Sequence, residues 1–331
     1  MIFIFNPETD YALAAGEKEY TAPKGVKILR LSLTPYIAST LRRGDFFMLY
    51  DAAERDRCKE ETWGRECKER GVTLIAPQEV AQYATTHEIK AWGWNHSLRK
   101  MLIRHKVDKT LLPSSDDIEN IRKLSHRRTT IPVNSRLNDL LSSSVPLPQE
   151  YTDVKEALIR LNQDPDCFIK SPWSSSGRGV NRSLDLSSDK LEARIRSCIE
   201  KQGSVMIERT ADKVLDFATE WDIKNGEAIF LGLSVFRTGN DGEYAGNLIG
   251  SYDYLEAIIK ESAPLWKTDI IEAQKTTLQE IIAPFYNGPA GIDMLADKKG
   301  RIWPCIEINL RHTMGHMALL QAEIFLGKSP E

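Results

Sequence analysis

Through the first ninety or so residues, short apolar runs alternate with longer polar segments of helical character. The runs at 2–5, 46–49 and 72–75 are strand-sized, and the connections between them are long enough to hold crossover helices. This rhythm predicts a small open sheet of parallel strands. Next, Ala91-Trp92-Gly93-Trp94-Asn95 leads into 96–105, where Leu98, Met101 and Leu102 have the spacing of one helical face. The chain turns near 111–115, and Ser115-Asp116-Asp117 can cap a helix carrying Ile118, Ile121 and Leu124.

Beyond a polar, proline-containing stretch at 142–148 the rhythm changes. Strands are predicted at 167–170, 204–209, 218–223, 228–236, 290–295 and 302–309, with helices at 189–200 and 268–282. Hairpin-sized gaps such as Lys224-Asn225-Gly226-Glu227 make neighbouring strands antiparallel. The expected fold class is α/β plus α+β: an N-terminal open parallel sheet domain over 1–95, then a catalytic domain over 96–331 built of two α+β subdomains, with the lobe boundary near 95–115.

Composition acts mainly by exclusion. Of 331 residues, 41% are apolar and 27% charged, an ordinary globular mixture. Forty-four Lys+Arg against 47 Asp+Glu leave a net charge of -3, so no global field draws nucleic acid or an anionic membrane, and any anion site is local. The longest apolar stretches, at 1–5 and 228–236, are far shorter than a membrane-spanning helix. The first of them runs into Asn6-Pro7 with no basic leader or cleavage site, which predicts a cytoplasmic protein. Cys58, Cys67, Cys167, Cys198 and Cys305 include no CxxC pair and read as reduced packing thiols.

Candidate chemistry gathers in the second half. In Phe168-Ile169-Lys170-Ser171-Pro172-Trp173-Ser174-Ser175-Ser176-Gly177-Arg178-Gly179-Val180 a predicted strand ends on a lysine, and a small-residue loop follows. Backbone N–H groups, hydroxyls, Lys170 and Arg178 suit phosphate oxygens; the competing reading is a surface hairpin with a solvated lysine. Neither a Walker loop nor a dinucleotide fingerprint is present.

Further on, Gly291-Ile292-Asp293-Met294-Leu295 and Trp303-Pro304-Cys305-Ile306-Glu307-Ile308-Asn309-Leu310-Arg311 form a predicted hairpin. Period-two alternation puts Glu307, Asn309 and Arg311 on one face, with Asp293 within cross-strand reach. Two carboxylates and an amide oxygen suit Mg2+ held against nucleotide phosphates. The competing reading is an amphipathic strand, but its apolar neighbours Ile302, Ile306, Ile308 and Leu310 argue that protein covers it. Between these motifs, Val205-Met206-Ile207-Glu208-Arg209-Thr210-Ala211-Asp212 is an apolar strand that breaks into an irregular connection before Asp216.

Taken in order, these four segments resemble the ATP-grasp superfamily of ligases over roughly residues 115–320, and 1–95 is similar to the α/β domain that commonly precedes that fold. The resemblance implies nucleotide between two α+β subdomains. Lys170 would contact phosphate, and Ser174, Ser175, Ser176, Gly177, Arg178 and Gly179 would close over it. Met206, Glu208 and Ala211 would belong to the adenine hinge, and Asp216, in competition with Asp212, would accept from ribose. Asp293, Glu307 and Asn309 match the family's magnesium ligands, with Mn2+ as an alternative ion. Arg311 matches a cation beside the transferred phosphoryl group and, with Lys170, is the expected catalytic pair. Arg127 or Arg128 stands where many members use a phosphate-binding lysine, and Gly291 stands where some peptide-type ligases carry an arginine.

The implied activity is an ATP- and Mg2+-dependent ligase. It would activate a substrate carboxylate as an acyl phosphate, join it to an amine or thiol, and release ADP and phosphate. A degenerate ATP-binding module and a small-molecule kinase are the alternatives. Expected partners are small-molecule or peptide carboxylates and amine or thiol nucleophiles, without nucleic acid or membrane; an oligomer is compatible. Asn6-Pro7-Glu8-Thr9-Asp10-Tyr11 follows the first strand and reads equally as a substrate contact or as a helix start capped by Asp10. His312 and His316 read as substrate contacts or packing, and Trp92 and Trp94 as lobe-interface packing.

Overall fold

The computed structural model describes residues 1–17, 19–174, 179–239 and 244–326. The chain divides into two compact units: Met1–Arg122 with the segment from Glu323 onward, and Lys123–Ala322.

In the first unit, β1 (Ile2–Ile4), β2 (Phe46–Met48), β3 (Thr73–Ile75) and β4 (Ile89–Ala91) form one sheet in the order β3-β2-β1-β4. All three pairings are parallel, with Ile2 beside both Phe46 and Ile89. Parallel strands need crossovers, and helices Lys24–Ser39, Ala52–Glu60 and Thr62–Arg70 supply them. Ile2, Ile4, Met48, Ile75 and Ile89 pack with Leu98 and Leu102 of helix His96–Arg104. Asn95 starts that helix by accepting from the Leu98 N–H at 2.9 Å, a cap that contributes about 1 kcal/mol. Trp92 meets Phe5 edge-on, 5.0 Å between ring centres, and Trp94 packs on the same unit's core.

The second unit holds two antiparallel sheets. The smaller comprises β5 (Gln149–Tyr151), β6 (Cys167–Lys170), β7 (Val180–Arg182) and β8 (Val205–Arg209) in the order β5-β8-β6-β7. Cys167, Ile169, Val205 and Ile207 alternate onto one face and pack on Ala157, Leu161, Ile195 and Cys198 of helices Val154–Gln163 and Ser188–Gln202. The larger comprises β9 (Lys213–Lys224), β10 (Glu227–Thr238), β11 (Tyr244–Asn247), β12 (Gly288–Asp297) and β13 (Ile302–Asn309) in the order β11-β10-β9-β12-β13. One face buries Phe217, Trp221, Ile292 and Met294. Gln274 of helix Asp269–Ile281 anchors there, accepting from the Thr219 hydroxyl at 2.9 Å and donating to the Pro304 carbonyl at 2.8 Å.

The expected class, a small parallel sheet followed by antiparallel α+β structure, is the observed one. Strands β4, β5, β7 and β11 were not predicted; each is three or four residues long, too short for periodicity to register. All five cysteines are free and buried. Among the described residues no helix is long and apolar enough to cross a membrane.

Candidate functional site

The alternation that sends Cys167 and Ile169 into the core turns Phe168, Lys170, Met206 and Glu208 to the opposite face of the small sheet. The Lys170 ammonium donates to a Glu208 carboxylate oxygen, and both side chains are about nine-tenths buried. A buried ammonium needs such a partner. The second oxygen, Glu208 Oε1, has none among the described residues.

Past Lys170 the chain is pinned at its root. The Ser171 N–H donates to the Gly179 carbonyl at 2.9 Å, and Gly179 has φ +86°, with no room for a Cβ beside Ser171 and Ser174. Trp173 exchanges two backbone bonds with the Gln202 amide. The expectations for Ser175, Ser176, Gly177 and Arg178 concern residues outside those described. On β8, Met206 is wholly buried and paired on both sides, to Glu150 and to Lys170, so the unpaired backbone edge begins at Glu208. The Ala211 carbonyl accepts from the Lys213 N–H at 2.8 Å. Asp216, on β9, accepts from Lys213 Nζ at 2.6 Å and from the Thr238 hydroxyl at 2.8 Å.

On the large sheet, Asp293 and Glu307 stand directly opposite each other. Asn309 Nδ2 donates to Asp293 Oδ2 at 3.1 Å, and Arg311 Nη2 donates to Asn309 Oδ1 at 2.8 Å. Arg127, 5% exposed, binds both regions: Nη2 donates to Glu307 Oε1 at 2.7 Å, and Nη1 donates to the Ser171 carbonyl at 2.7 Å and the Ser174 hydroxyl at 2.6 Å. Arg128 instead pairs with Glu150 at 3.2 Å and is half-exposed.

Burial raises the Asp293 carboxyl to about 8, aided by the charges of Glu307 and Glu220. Burial pushes Glu307 the same way, but Arg127, Lys170 and Arg311 outweigh it and hold that carboxyl below its ordinary value. Cations thus outweigh burial at Glu307, while at Asp293 burial and the neighbouring carboxylates outweigh Arg311. Among the described residues no group of three or more His, Cys, Asp or Glu could hold a metal. This set offers two carboxylates and one amide, which suits Mg2+ that draws its other oxygens from phosphate and water.

No protein-family model matches the sequence, and no curated protein matches it. Solved structures do. All of this chain aligns with 70% of the biotin carboxylase domain of Hydrogenobacter thermophilus 2-oxoglutarate carboxylase, a dimer in complex with MgADP, ADP and bicarbonate, at 15% identity and TM-score 0.55. It also aligns over its whole length with 78% of N5-carboxyaminoimidazole synthetase from Staphylococcus aureus, at 14% identity and TM-score 0.53. A protein of Archaeoglobus fulgidus described as of the ATP-grasp superfamily matches 98% of this chain over 87% of its own, at 13% identity and TM-score 0.50. The chain has the ATP-grasp fold.

Within this ATP-grasp fold, sequence reasoning missed two buried residues, Glu220 and Thr313, which gather around His316. Glu220 is 1% exposed and lies on β9 beside Gly291, on the face that carries Asp293. Its Oε2 accepts from the Thr313 hydroxyl at 2.8 Å and stands 3.0 Å from His316 Nδ1, while His316 Nε2 is 3.2 Å from the Trp221 carbonyl. Nδ1 also accepts from the Thr313 N–H at 3.2 Å; burial opposes a charged imidazole, but Glu220 outweighs it and raises the His316 pKa. A Cβ at Gly315 would lie 1.8 Å from Glu220 Oε1, and one at Gly291 2.9 Å from Oε2. Any side chain at 291, arginine included, would have to displace Thr313 Cγ2 and that carboxylate. His312 packs edge-on to His316, 5.5 Å between ring centres.

In the first unit, Asp10 falls inside the first turn of helix Thr9–Ala14, and the cap position is Glu8. The side chain of Asn6 instead ties β1 to β4, donating to the Gly93 carbonyl at 2.7 Å.

Proposed function

We propose that the protein is an ATP- and Mg2+-dependent ligase joining a carboxylate to an amine or thiol. The observation that carries this reading is Arg127. One guanidinium bonds both the root of the small-residue loop and Glu307, so a phosphate-type loop and a hard-oxygen set meet at a single cation. Lys170 and Arg127 would hold nucleotide phosphate oxygens, and the polar edge of β8 from Glu208 onward would take the adenine. Asp293, Glu307 and Asn309 would hold Mg2+, which supplies charge neutralisation and orientation at the phosphates. Two facing carboxylates, Asp293 and Glu307, with the Asn309 amide bonded to one of them, are the donor set that supports this fit.

Arg311, bonded to Asn309, would stabilise charge developing on the transferred phosphoryl group. The nominated groups are cations and oxygen ligands, as positioning and charge neutralisation require, and no side-chain nucleophile is needed. Phosphorylation of the substrate carboxylate would give an acyl phosphate, and attack by the amine or thiol would expel phosphate.

The decisive assay screens amino acids, short peptides and other carboxylates, singly and in pairs, for ADP and free phosphate. Release that requires two co-substrates supports the ligase. ATP consumption with a stable phosphorylated product makes the protein a kinase, and nucleotide binding without consumption makes it a degenerate module.

A further inference from the structure

Arg127 leaves from a single helical turn, Arg127–Thr129, whose cap is a histidine. His126 is 2% exposed, and its Nδ1 accepts from the Arg128 N–H at 3.0 Å. The backbone of Arg127 is held as well: its N–H donates to the Pro172 carbonyl at 3.1 Å, and its carbonyl accepts from the Thr130 hydroxyl at 2.7 Å. Small oxygen acceptors are the usual caps. A ring reaches further, and here it meets Trp173 edge-on, 4.5 Å between ring centres, beside the loop root that Arg127 bonds.

The cap also fixes the ring's proton. A nitrogen that accepts from a backbone N–H carries none, so the neutral imidazole holds its proton on Nε2. Acceptors stand on that side, the Ser204 hydroxyl at 3.4 Å and Glu150 Oε1 at 3.5 Å. Arg128 Nη2, 3.0 Å from Nε2, cannot donate to a protonated nitrogen and pairs with Glu150 instead. A second ring proton would sit on Nδ1, against the Arg128 N–H.

We propose that His126 is a positioning residue for the nucleotide site: its Nδ1 cap holds the turn that aims Arg127 at the loop root and at Glu307. This role rests on Arg127 being a phosphate ligand, as proposed above.

The test is calorimetric titration of the full chain with MgADP. His126→Gln removes the Nδ1 acceptor and keeps a donor near Nε2, whereas His126→Asn keeps an acceptor near Nδ1 and loses the rest of the ring. Both lose the Trp173 contact, so the cap is what separates them. His126→Gln should weaken MgADP binding about fivefold, the loss of one cap, and His126→Asn should stay within about twofold of the parent. In an Arg127→Met background His126→Gln should bring no further loss, since the cap acts through the guanidinium. Circular dichroism checks each fold, and His126→Leu, which also lacks the acceptor, replaces His126→Gln if that variant is unfolded. Equal losses in His126→Gln and His126→Asn would reduce the ring to packing on Trp173, and no loss in either would remove it from the site; both results overturn the proposal. So would a loss from His126→Gln that persists beside Arg127→Met. Failure of the underlying reading looks different: a parent that does not bind MgADP, or Arg127→Met binding it like the parent, would show that Arg127 is no phosphate ligand and would overturn the role of His126 with it.

Discussion

On the small sheet of the second unit, Lys170 and Glu208 neutralise each other as one buried pair. On the large sheet, Asp293, Glu307 and Glu220 crowd one face and share Arg127, Arg311 and His316, with Asp293 taking up a proton to relieve the crowding. The first arrangement can release a cation to an incoming phosphate only by leaving Glu208 behind. A divalent cation at the second would relieve the repulsion among its carboxylates. If these differences carry function, the small sheet takes anions and the large sheet takes metal; the Lys170 and Glu208 side chains are about nine-tenths buried, whereas that of Glu307 is 27% exposed.

The sharpest way to break this contrast is Glu307→Gln. If the large sheet is the metal side, Mg2+-dependent turnover should fall at least a hundredfold, about 2.7 kcal/mol, because coordination of a hard cation depends on ligand charge. Steady-state phosphate release at varied Mg2+ checks it, and parent-like turnover would assign the metal elsewhere. Lys170→Ala tests the anion side: nucleotide affinity by calorimetry should drop by about 1.5–3 kcal/mol, the range for a hydrogen bond to a charged group. An unchanged affinity would leave Lys170–Glu208 a purely structural pair.

Arg311→Ala separates binding from chemistry. If its contact is made mainly in the transition state, kcat should fall roughly tenfold with nucleotide affinity preserved. A matching loss in affinity would make Arg311 a ground-state ligand. The smallest expected effect concerns His316. Its folded-state pKa lies above the ordinary 6.5, so the stability from pairing with Glu220 is complete below 6.5 and declines as pH rises through the raised value. Urea midpoints across that window should fall for the parent, and His316→Gln should lose this slope. Identical slopes would mean that the imidazole is neutral.

Much of the second unit was legible because its long strands carry period-two patterns, and Glu307, Asn309 and Arg311 announced a shared face through spacing alone. The links between motifs were not. Nothing local tells that Arg127 reaches Glu307, 180 residues later, or that it and not Arg128 turns inward. Glu220 was hidden differently. Its neighbours Ala218, Trp221 and Asp222 read as an ordinary amphipathic strand, and only the fold shows that the polar face is covered. Helix Met314–Phe325 escaped notice for the opposite reason: apolar residues nearly surround it, so no face stands out. The three-residue strands of the first unit were found where bulky apolar residues cluster and lost at β4, where Lys90 interrupts Ile89 and Ala91.

The Glu220 carboxylate occupies the volume that any side chain at Gly315 would need. Positions 220 and 315 are thus a single heritable choice. Related chains that enlarge residue 315 should shorten residue 220 in the same step, and either change alone should be rare because its intermediate is either overfilled or hollow. A pair of alleles compatible only together would leave a covariation signal between β9 and the start of the last helix, recoverable from sequences without any structure.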